Sequence, residues 1–260
     1  MAETNRGVIA LYAELEETAE QLRNVSELKS RFLAYVSHEF RTPLAAVKSM
    51  TRILLDRLDG PLSEEQEKQV LFMQSAASEL LELVNDQLDL AKLEAGRLTV
   101  SPDWFEMLDF FATLRGMFRP ILLNDAVTLT FEAPDEMVRI YSDDKKLSQI
   151  LRNFISNALK FTASGEVRVR AVLHANDTVT FAVSDTGIGI PEESLAFVFS
   201  DFVQVDSPLQ KRFRGTGLGL AICRKFARLL GGDVDVHSTL GEGSTFSVTI
   251  PTTLDVEPTP

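Results

Sequence analysis

Phe32-Leu33-Ala34-Tyr35-Val36-Ser37-His38-Glu39-Phe40-Arg41-Thr42-Pro43-Leu44 sets a histidine, an acid and a proline at the end of a long apolar periodicity. In and before it, Val8, Leu11, Leu15, Leu22, Val25, Phe32 and Val36 follow alternating steps of three and four, with Thr18 and Lys29 as polar interruptions. That heptad spacing favours a coiled coil or bundle over a lone surface helix. At ~100° per residue His38 projects roughly opposite the seam, toward solvent or another domain. Its imidazole stands beside the carboxylate of Glu39 and one helical turn before the hydroxyl of Thr42, which are the parts for phosphoryl transfer onto nitrogen. Pro43 has no N–H to give the carbonyl of Glu39 and crowds it, so the helix is weakened beside the histidine. Alone, a helical histidine with an acidic neighbour is more often plain surface. The rest of the chain decides.

Asp59-Gly60-Pro61 is a turn signal, so the first helix should end near Leu58. Ser63 with Gln66 three residues later forms a capping box for a second helix. Its Val70, Met73, Ala77, Leu80, Val84, Leu88 and Ala91 again step by three and four, and Gly96 stops it. Two long amphipathic helices joined by a short turn make an antiparallel hairpin. One hairpin cannot enclose a core, so the expectation is a homodimer through a four-helix bundle; the alternative is that the N-terminal helix packs on its own chain.

The bulk numbers exclude several classes. With 260 residues, 45% hydrophobic and 25% charged, the chain has ordinary globular composition and enough length for one or two cores. A net charge of −12 argues against a nucleic-acid partner, so any polyanionic ligand must be held by a few bases and by backbone N–H groups. The single cysteine, Cys223, permits no internal disulfide and suits a reducing compartment. No run approaches the ~18 apolar residues of a membrane span, and the start lacks the layout of a signal peptide. The expectation is a cytoplasmic chain, the cytoplasmic part of a longer protein if it is a fragment.

From Thr99 the period changes. Strands are expected at 127–131, 138–141, 166–173, 178–183, 233–237 and 244–250, and helices at 106–122, 143–161 and 217–230. This order reads as an α+β sandwich, with helices on one face of a mixed sheet. Four segments of this region carry polar chemistry. In the helix 143–161, Asn153, Asn157 and Lys160 form a stripe separate from Leu147, Leu151, Phe154 and Ala158. Two carboxamides and an ammonium can supply oxygen ligands for Mg²⁺ and a countercharge for phosphate, although a solvated polar face looks the same. Asp185-Thr186-Gly187-Ile188-Gly189 follows a strand; its carboxylate can accept the exocyclic amine of adenine while Gly187 and Gly189 let the backbone approach a flat base. Arg214-Gly215-Thr216-Gly217-Leu218-Gly219 opens a helix as a phosphate cradle, with Lys211 and Arg212 just before it. Its spacing fits neither the Rossmann fingerprint nor a P-loop. Gly241-Glu242-Gly243-Ser244-Thr245-Phe246 leads the last strand and by itself reads as a hairpin turn.

In order and spacing these segments resemble the transmitter region of sensor histidine kinases of bacterial two-component systems. Residues 37–44 resemble the H-box, 149–160 the N-box, 185–189 the G1 box, 215–219 the G2 box, and 199–202 the F-box, where Ser200 and Asp201 replace the usual Glu and Pro. The resemblance implies an all-α hairpin forming a dimeric four-helix bundle, then an α+β sandwich of the GHKL (Bergerat) ATPase type shared with Hsp90, MutL and DNA gyrase. It implies a division into a signalling helix (1–30), a phosphotransfer hairpin (31–98), an ATP-binding domain (99–252) and a flexible tail (253–260). It further implies Mg·ATP as cofactor, attack by His38 on the γ-phosphorus with Glu39 holding the other ring nitrogen, and Thr42 in a phosphatase role. Asn157 is then the first choice for Mg²⁺ with Asn153 in support, Lys160 and Arg214 partner the phosphates, Asp185 reads adenine, and Gly215, Thr216, Gly217, Leu218, Gly219 and Thr245 complete the nucleotide site. The implied partners are a response-regulator receiver domain and an upstream sensor domain. Two other classes compete: a nonenzymatic ATP-binding scaffold, which has no use for His38, Glu39, Asn153 and Asn157 together, and an ATPase clamp, which needs a carboxylate where Asn153 stands.

Overall fold

Contacts divide the chain into two units, Met1–Leu98 and Thr99–Pro260. The computed structural model describes residues 2–95, 98–119, 126–134, 138–201, 203 and 217–255. The expected helix stop at Gly96 lies outside them.

The first unit is a helical hairpin of α1 (Ala2–Leu55) and α2 (Glu64–Glu94). α1 runs through Pro43 and ends three residues before the expected Leu58. Arg57 adopts a left-handed conformation (φ 56°) and the Leu58 N–H turns back to the Ile53 carbonyl, a helix stop made without glycine. α2 opens with the full capping box: Gln66 N–H donates to Ser63 Oγ at 3.3 Å and Ser63 N–H to Gln66 Oε1 at 2.9 Å. Glu64, Glu65 and Glu67 add negative charge at the positive end of the helix dipole. Lys29–Glu94 (2.7 Å), Arg41–Asn85 (3.0 Å) and Arg57–Glu67 (3.3 Å) brace the hairpin in antiparallel register. Val70, Ala77, Val84, Leu88 and Ala91 of the predicted stripe are buried, whereas Met73 and Leu80 of the same stripe stay exposed. On α1, Leu15, Val25 and Phe32 of the seam are also exposed. The side chains of Val8, Leu11 and Leu22 lie outside the described residues.

The second unit begins with β1 (Asp103–Glu106) and α3 (Met107–Phe118), followed by β2 (Val127–Glu132), β3 (Arg139–Ser142) and α4 (Asp144–Phe161). Then come β4 (Gly165–Leu173), β5 (Thr178–Asp185), α5 (Glu192–Leu195), α6 (Gly219–Leu229), β6 (Asp233–Thr239) and β7 (Gly243–Pro251). Five strands make a mixed sheet in the order β2-β4-β5-β7-β6, parallel only between β2 and β4. Alternate residues Val167, Val169, Val179, Phe181, Val183, Phe246, Val248 and Ile250 point to one buried face. α4 covers that face with Leu147, Ile150, Leu151, Phe154 and Ile155, all fully buried, and α6 with Ile222 and Phe226. Phe110 and Phe111 of α3 meet Phe181 edge-on at 6.1 and 6.2 Å, closing the same layer. Helices on one face of a mixed sheet is the layer order expected from the sequence.

Three expectations need correction. β1 pairs antiparallel with β3 from Asp103↔Ser142 to Glu106↔Arg139, a strand the sequence reading missed. α3 stops at Phe118 rather than 122. The tail does not begin at 253: Leu254 N–H donates to the Tyr141 carbonyl at 2.9 Å, Thr253 bridges Tyr141, and Leu254 is buried.

The N-terminus of α4 is held by Asp143. Its Oδ1 accepts the Lys146 N–H at 3.0 Å, and Oδ2 accepts the Ser101 N–H at 2.9 Å and the Lys146 ammonium at 2.6 Å. Burial pushes this carboxyl up, but the bonds from Lys146 and Ser101 outweigh it and hold the group below its ordinary range.

Candidate functional site

In the first unit His38 projects into solvent, with its side chain 75% exposed, while its neighbour Ser37 is buried. The helical phase set by the buried side therefore turns the imidazole outward. His38 Nδ1 lies 3.5 Å from Glu39 Oε1. Thr42 is exposed one turn later. Thr18 and Thr113 spend their hydroxyls on carbonyls four residues back, at 2.7 and 2.9 Å; among the described residues Thr42 Oγ1 makes no such bond.

The second unit draws the other residues around α4. Asp185 ends β5, partly buried, and its Oδ1 accepts the Gly187 N–H at 2.8 Å and the Ser244 N–H at 3.3 Å. Burial raises the Asp185 carboxyl above its ordinary range, and the Gly187 and Ser244 bonds pull it part of the way back. The loop after it is fixed at both sides. Ile188 N–H donates to the Phe161 carbonyl at the end of α4, and the Ile188 carbonyl accepts from Gly241 N–H at 2.7 Å. Gly189 sits in a left-handed conformation (φ 67°) where a Cβ would overlap the Thr239 carbonyl. Ile190 N–H donates to Ser238 Oγ at 2.8 Å.

On α4, Asn157 Nδ2 donates to Asn153 Oδ1 at 3.1 Å, which leaves the Asn157 carbonyl oxygen for a hard cation. Lys160 lies over the Phe161 ring at 5.4 Å. At the start of α6, Gly219 packs so closely on Asn153 that a Cβ there would overlap its amide nitrogen. Gly217 is left-handed (φ 69°), and Leu218 is buried. Arg214, Gly215 and Thr216, with Lys211 and Arg212, lie outside the described residues.

Thr245 is misplaced in the sequence reading. Its Oγ1 donates to Ser184 Oγ at 2.9 Å, on the sheet face opposite Asp185. Ser244 takes the position instead: it pairs with Asp185, is buried, and its Oγ lies 3.0 Å from Ser238 Oγ. The period of two along β7 could have found it, since Phe246, Val248 and Ile250 set the inward phase. The unusual Asp201 pairs with Lys225 of α6 at 2.9 Å, and Phe199 meets Phe246, which in turn meets Phe154 of α4.

The donor set suits a nucleotide with a hard cation. Asp185 offers one oxygen fixed by two backbone donors and a second directed elsewhere. Among the described residues no group of three His, Cys, Asp or Glu could hold a metal alone, so a hard cation such as Mg²⁺ would depend on amide oxygens, water and the phosphates of its ligand.

Two family models match this chain. Residues 28–96 match the His Kinase A (phospho-acceptor) domain, and residues 142–254 match the histidine kinase-, DNA gyrase B-, and HSP90-like ATPase domain. The chain is 38% identical to the autoinducer 2 sensor kinase/phosphatase LuxQ of Vibrio parahaemolyticus over 87% of its length. It is 40% identical to the circadian input-output histidine kinase CikA of Synechococcus elongatus over 88%. It belongs to the sensor histidine kinases. The matched region is the transmitter, and it spans 27% of LuxQ and 31% of CikA. Full-length ShkA, solved in complex with AMPPNP, superposes with a TM-score of 0.69 at 32% identity, covering 88% of this chain and 47% of that one. The catalytic domain of histidine kinase ThkA, in a nucleotide-free form, gives 0.52 at 26% identity over 59% of this chain and 99% of its own. No helix among the described residues of the transmitter is long and apolar enough to cross a membrane.

The contact between α6 and Asn153 gives a first test. Gly219→Ala would push the Asn153 amide away and break its bond to Asn157, without touching the core. Melting temperature should hold, while affinity for Mg·ATP should fall by ~1–2 kcal/mol, read by calorimetry. Unchanged affinity would remove Asn153 from the site.

Proposed function

We propose that this chain is an ATP-dependent protein-histidine kinase: His38 takes the γ-phosphoryl group of ATP and passes it to an aspartate of a response-regulator receiver domain. The observation that carries this reading is the exposed imidazole of His38 with Nδ1 beside Glu39, in a chain whose second unit offers Asp185 to a base. Glu39 keeps the proton on Nδ1, so Nε2 presents its lone pair. As the N–P bond forms and the P–O bond to ADP breaks, the same carboxylate offsets the imidazolium charge. Asp185 accepts the exocyclic amine of adenine. Lys160 and Arg214 balance phosphate charge, and the backbone of 215–219 cradles it at the start of α6. Asn157, with Asn153 in support, would hold Mg²⁺, which supplies charge neutralisation at the phosphates when bound.

Exposed Leu15, Phe32, Met73 and Leu80 support a homodimer in which two hairpins complete a four-helix bundle. We infer a cytoplasmic location from the need for ATP, and an upstream sensor is supported by the fact that the chain spans only 27% of LuxQ and 31% of CikA. The test is a time course with Mg·ATP. A kinase accumulates phosphorylated chain in step with ADP; sustained phosphate release without labelled protein would indicate an ATPase clamp, and binding without turnover a scaffold.

Thr42 gives the chain a second output. Its unengaged hydroxyl, on the face of His38, can orient water toward a phosphoaspartate on a docked regulator. Thr42→Ala should leave autophosphorylation within a few-fold and slow regulator dephosphorylation by ~10-fold or more, the loss of ~1.4 kcal/mol of water positioning. Decay of phosphorylated regulator in ADP measures it; equal rates would leave Thr42 a plain helix residue.

A further inference from the structure

The contact boundary between the units falls between Leu98 and Thr99, and the first groups beyond it are tied down at once. Lys146 Nζ donates to the Thr99 carbonyl at 2.8 Å and to Asp143 Oδ2 at 2.6 Å, and that same Oδ2 accepts the Ser101 N–H at 2.9 Å. The Asp143 side chain is 3% exposed and the Lys146 side chain 15%. Helix capping does not require this arrangement. Asp143 Oδ1 caps α4 by accepting the Lys146 N–H, a task that Ser, Thr or Asn performs equally well. Among the described residues the second oxygen and the ammonium bond each other and the incoming chain. A buried ion pair is a poor source of net stability compared with apolar packing, so its worth here lies in fixing a geometry. What it fixes is the entry of the chain onto α4, the helix that carries Asn153 two turns and Asn157 three turns further on.

We propose that the Lys146–Asp143 pair is a positioning element for phosphoryl transfer: it clamps residues 99–101 to α4, so that displacement of the chain leaving the hairpin reaches the nucleotide-binding helix instead of being absorbed in slack. The inference rests on the kinase reading above. Phosphotransfer is sensitive to ångström-scale placement of the reacting groups, whereas the residues assigned to the nucleotide all belong to the second unit.

Lys146→Met removes the ammonium and keeps the stem and both backbone bonds to Asp143; Lys146→Arg restores a cation of similar reach. Three readouts are taken on the full chain: affinity for AMPPNP, autophosphorylation rate at saturating ATP, and hydrogen exchange at the Ser101 amide. Lys146→Met should bind AMPPNP as the wild type does, exchange faster at Ser101, and autophosphorylate about tenfold or more slowly at saturating ATP, with Lys146→Arg recovering most of the rate. A full rate despite faster exchange at Ser101 would overturn the proposal. So would loss of AMPPNP binding, which would make the pair a support of the ATP-binding unit alone. A wild-type chain that takes no phosphoryl group would instead overturn the kinase reading, and the exchange and affinity readouts keep the two failures apart.

Discussion

His38→Gln should abolish autophosphorylation while ATP affinity and dimer formation stay at wild-type levels. The side chain is 75% exposed and makes no packing contribution that glutamine would lose, and the helix tolerates either residue. The carboxamide has no basic nitrogen to attack phosphorus, so the loss is of chemistry and not of structure. Labelling with γ-phosphate-labelled ATP, nucleotide titration and sedimentation measure the three properties on one preparation. A variant that fell to a monomer, or lost nucleotide affinity, would make His38 a structural residue and sink the assignment of the phosphoacceptor.

Asp185→Asn carries the second large effect. Asp185 Oδ1 is fixed by the Gly187 and Ser244 N–H groups, so an asparagine would keep its oxygen there and turn its NH₂ to the position of Oδ2. A donor would then face the exocyclic amine of adenine. ATP affinity should fall by ~1–3 kcal/mol, while transfer from an already phosphorylated His38 to the regulator continues. The pH dependence has the same origin. Because burial raises this carboxyl above its ordinary range, the ionised acceptor is lost earlier than an ordinary aspartate as pH falls, and ATP affinity should weaken through that raised value. In Asp185→Asn that component of the pH dependence should vanish. Near-wild-type affinity in the variant would remove adenine recognition from Asp185.

The parts legible in the sequence were those written in local period. The capping box at Ser63, the stripe of α2 and the paired faces of α4 depend on residues within one or two turns, and the structure reproduces them except at Met73 and Leu80 of α2, which stay exposed. What escaped depends on partners far away in the chain. Asp103–Glu106 is a four-residue strand whose order comes from β3, nearly forty residues on, and Leu254 is held by Tyr141. Such pairings leave no periodic trace in short segments. Thr245 shows a different failure: its chemistry suited the site, but a one-residue difference in phase along a strand places a side chain on the opposite face. The Asp143–Lys146–Thr99 clamp was invisible because a charged pair three apart on a helix looks like ordinary surface until burial is known. On α1 the expected seam residues Leu15, Val25 and Phe32 are exposed within one chain, because heptad period marks an apolar stripe without saying what covers it.

Phosphorylation of His38 shows itself in the chemical stability of the label. Wild-type chain incubated with Mg²⁺ and γ-phosphate-labelled ATP should acquire protein-bound phosphate that survives base and is lost in mild acid, as expected of a phosphorus–nitrogen bond to imidazole, and a peptide containing His38 should carry it. Label that survives acid, label mapped to another peptide, or phosphate released with no labelled protein would contradict phosphorylation of His38.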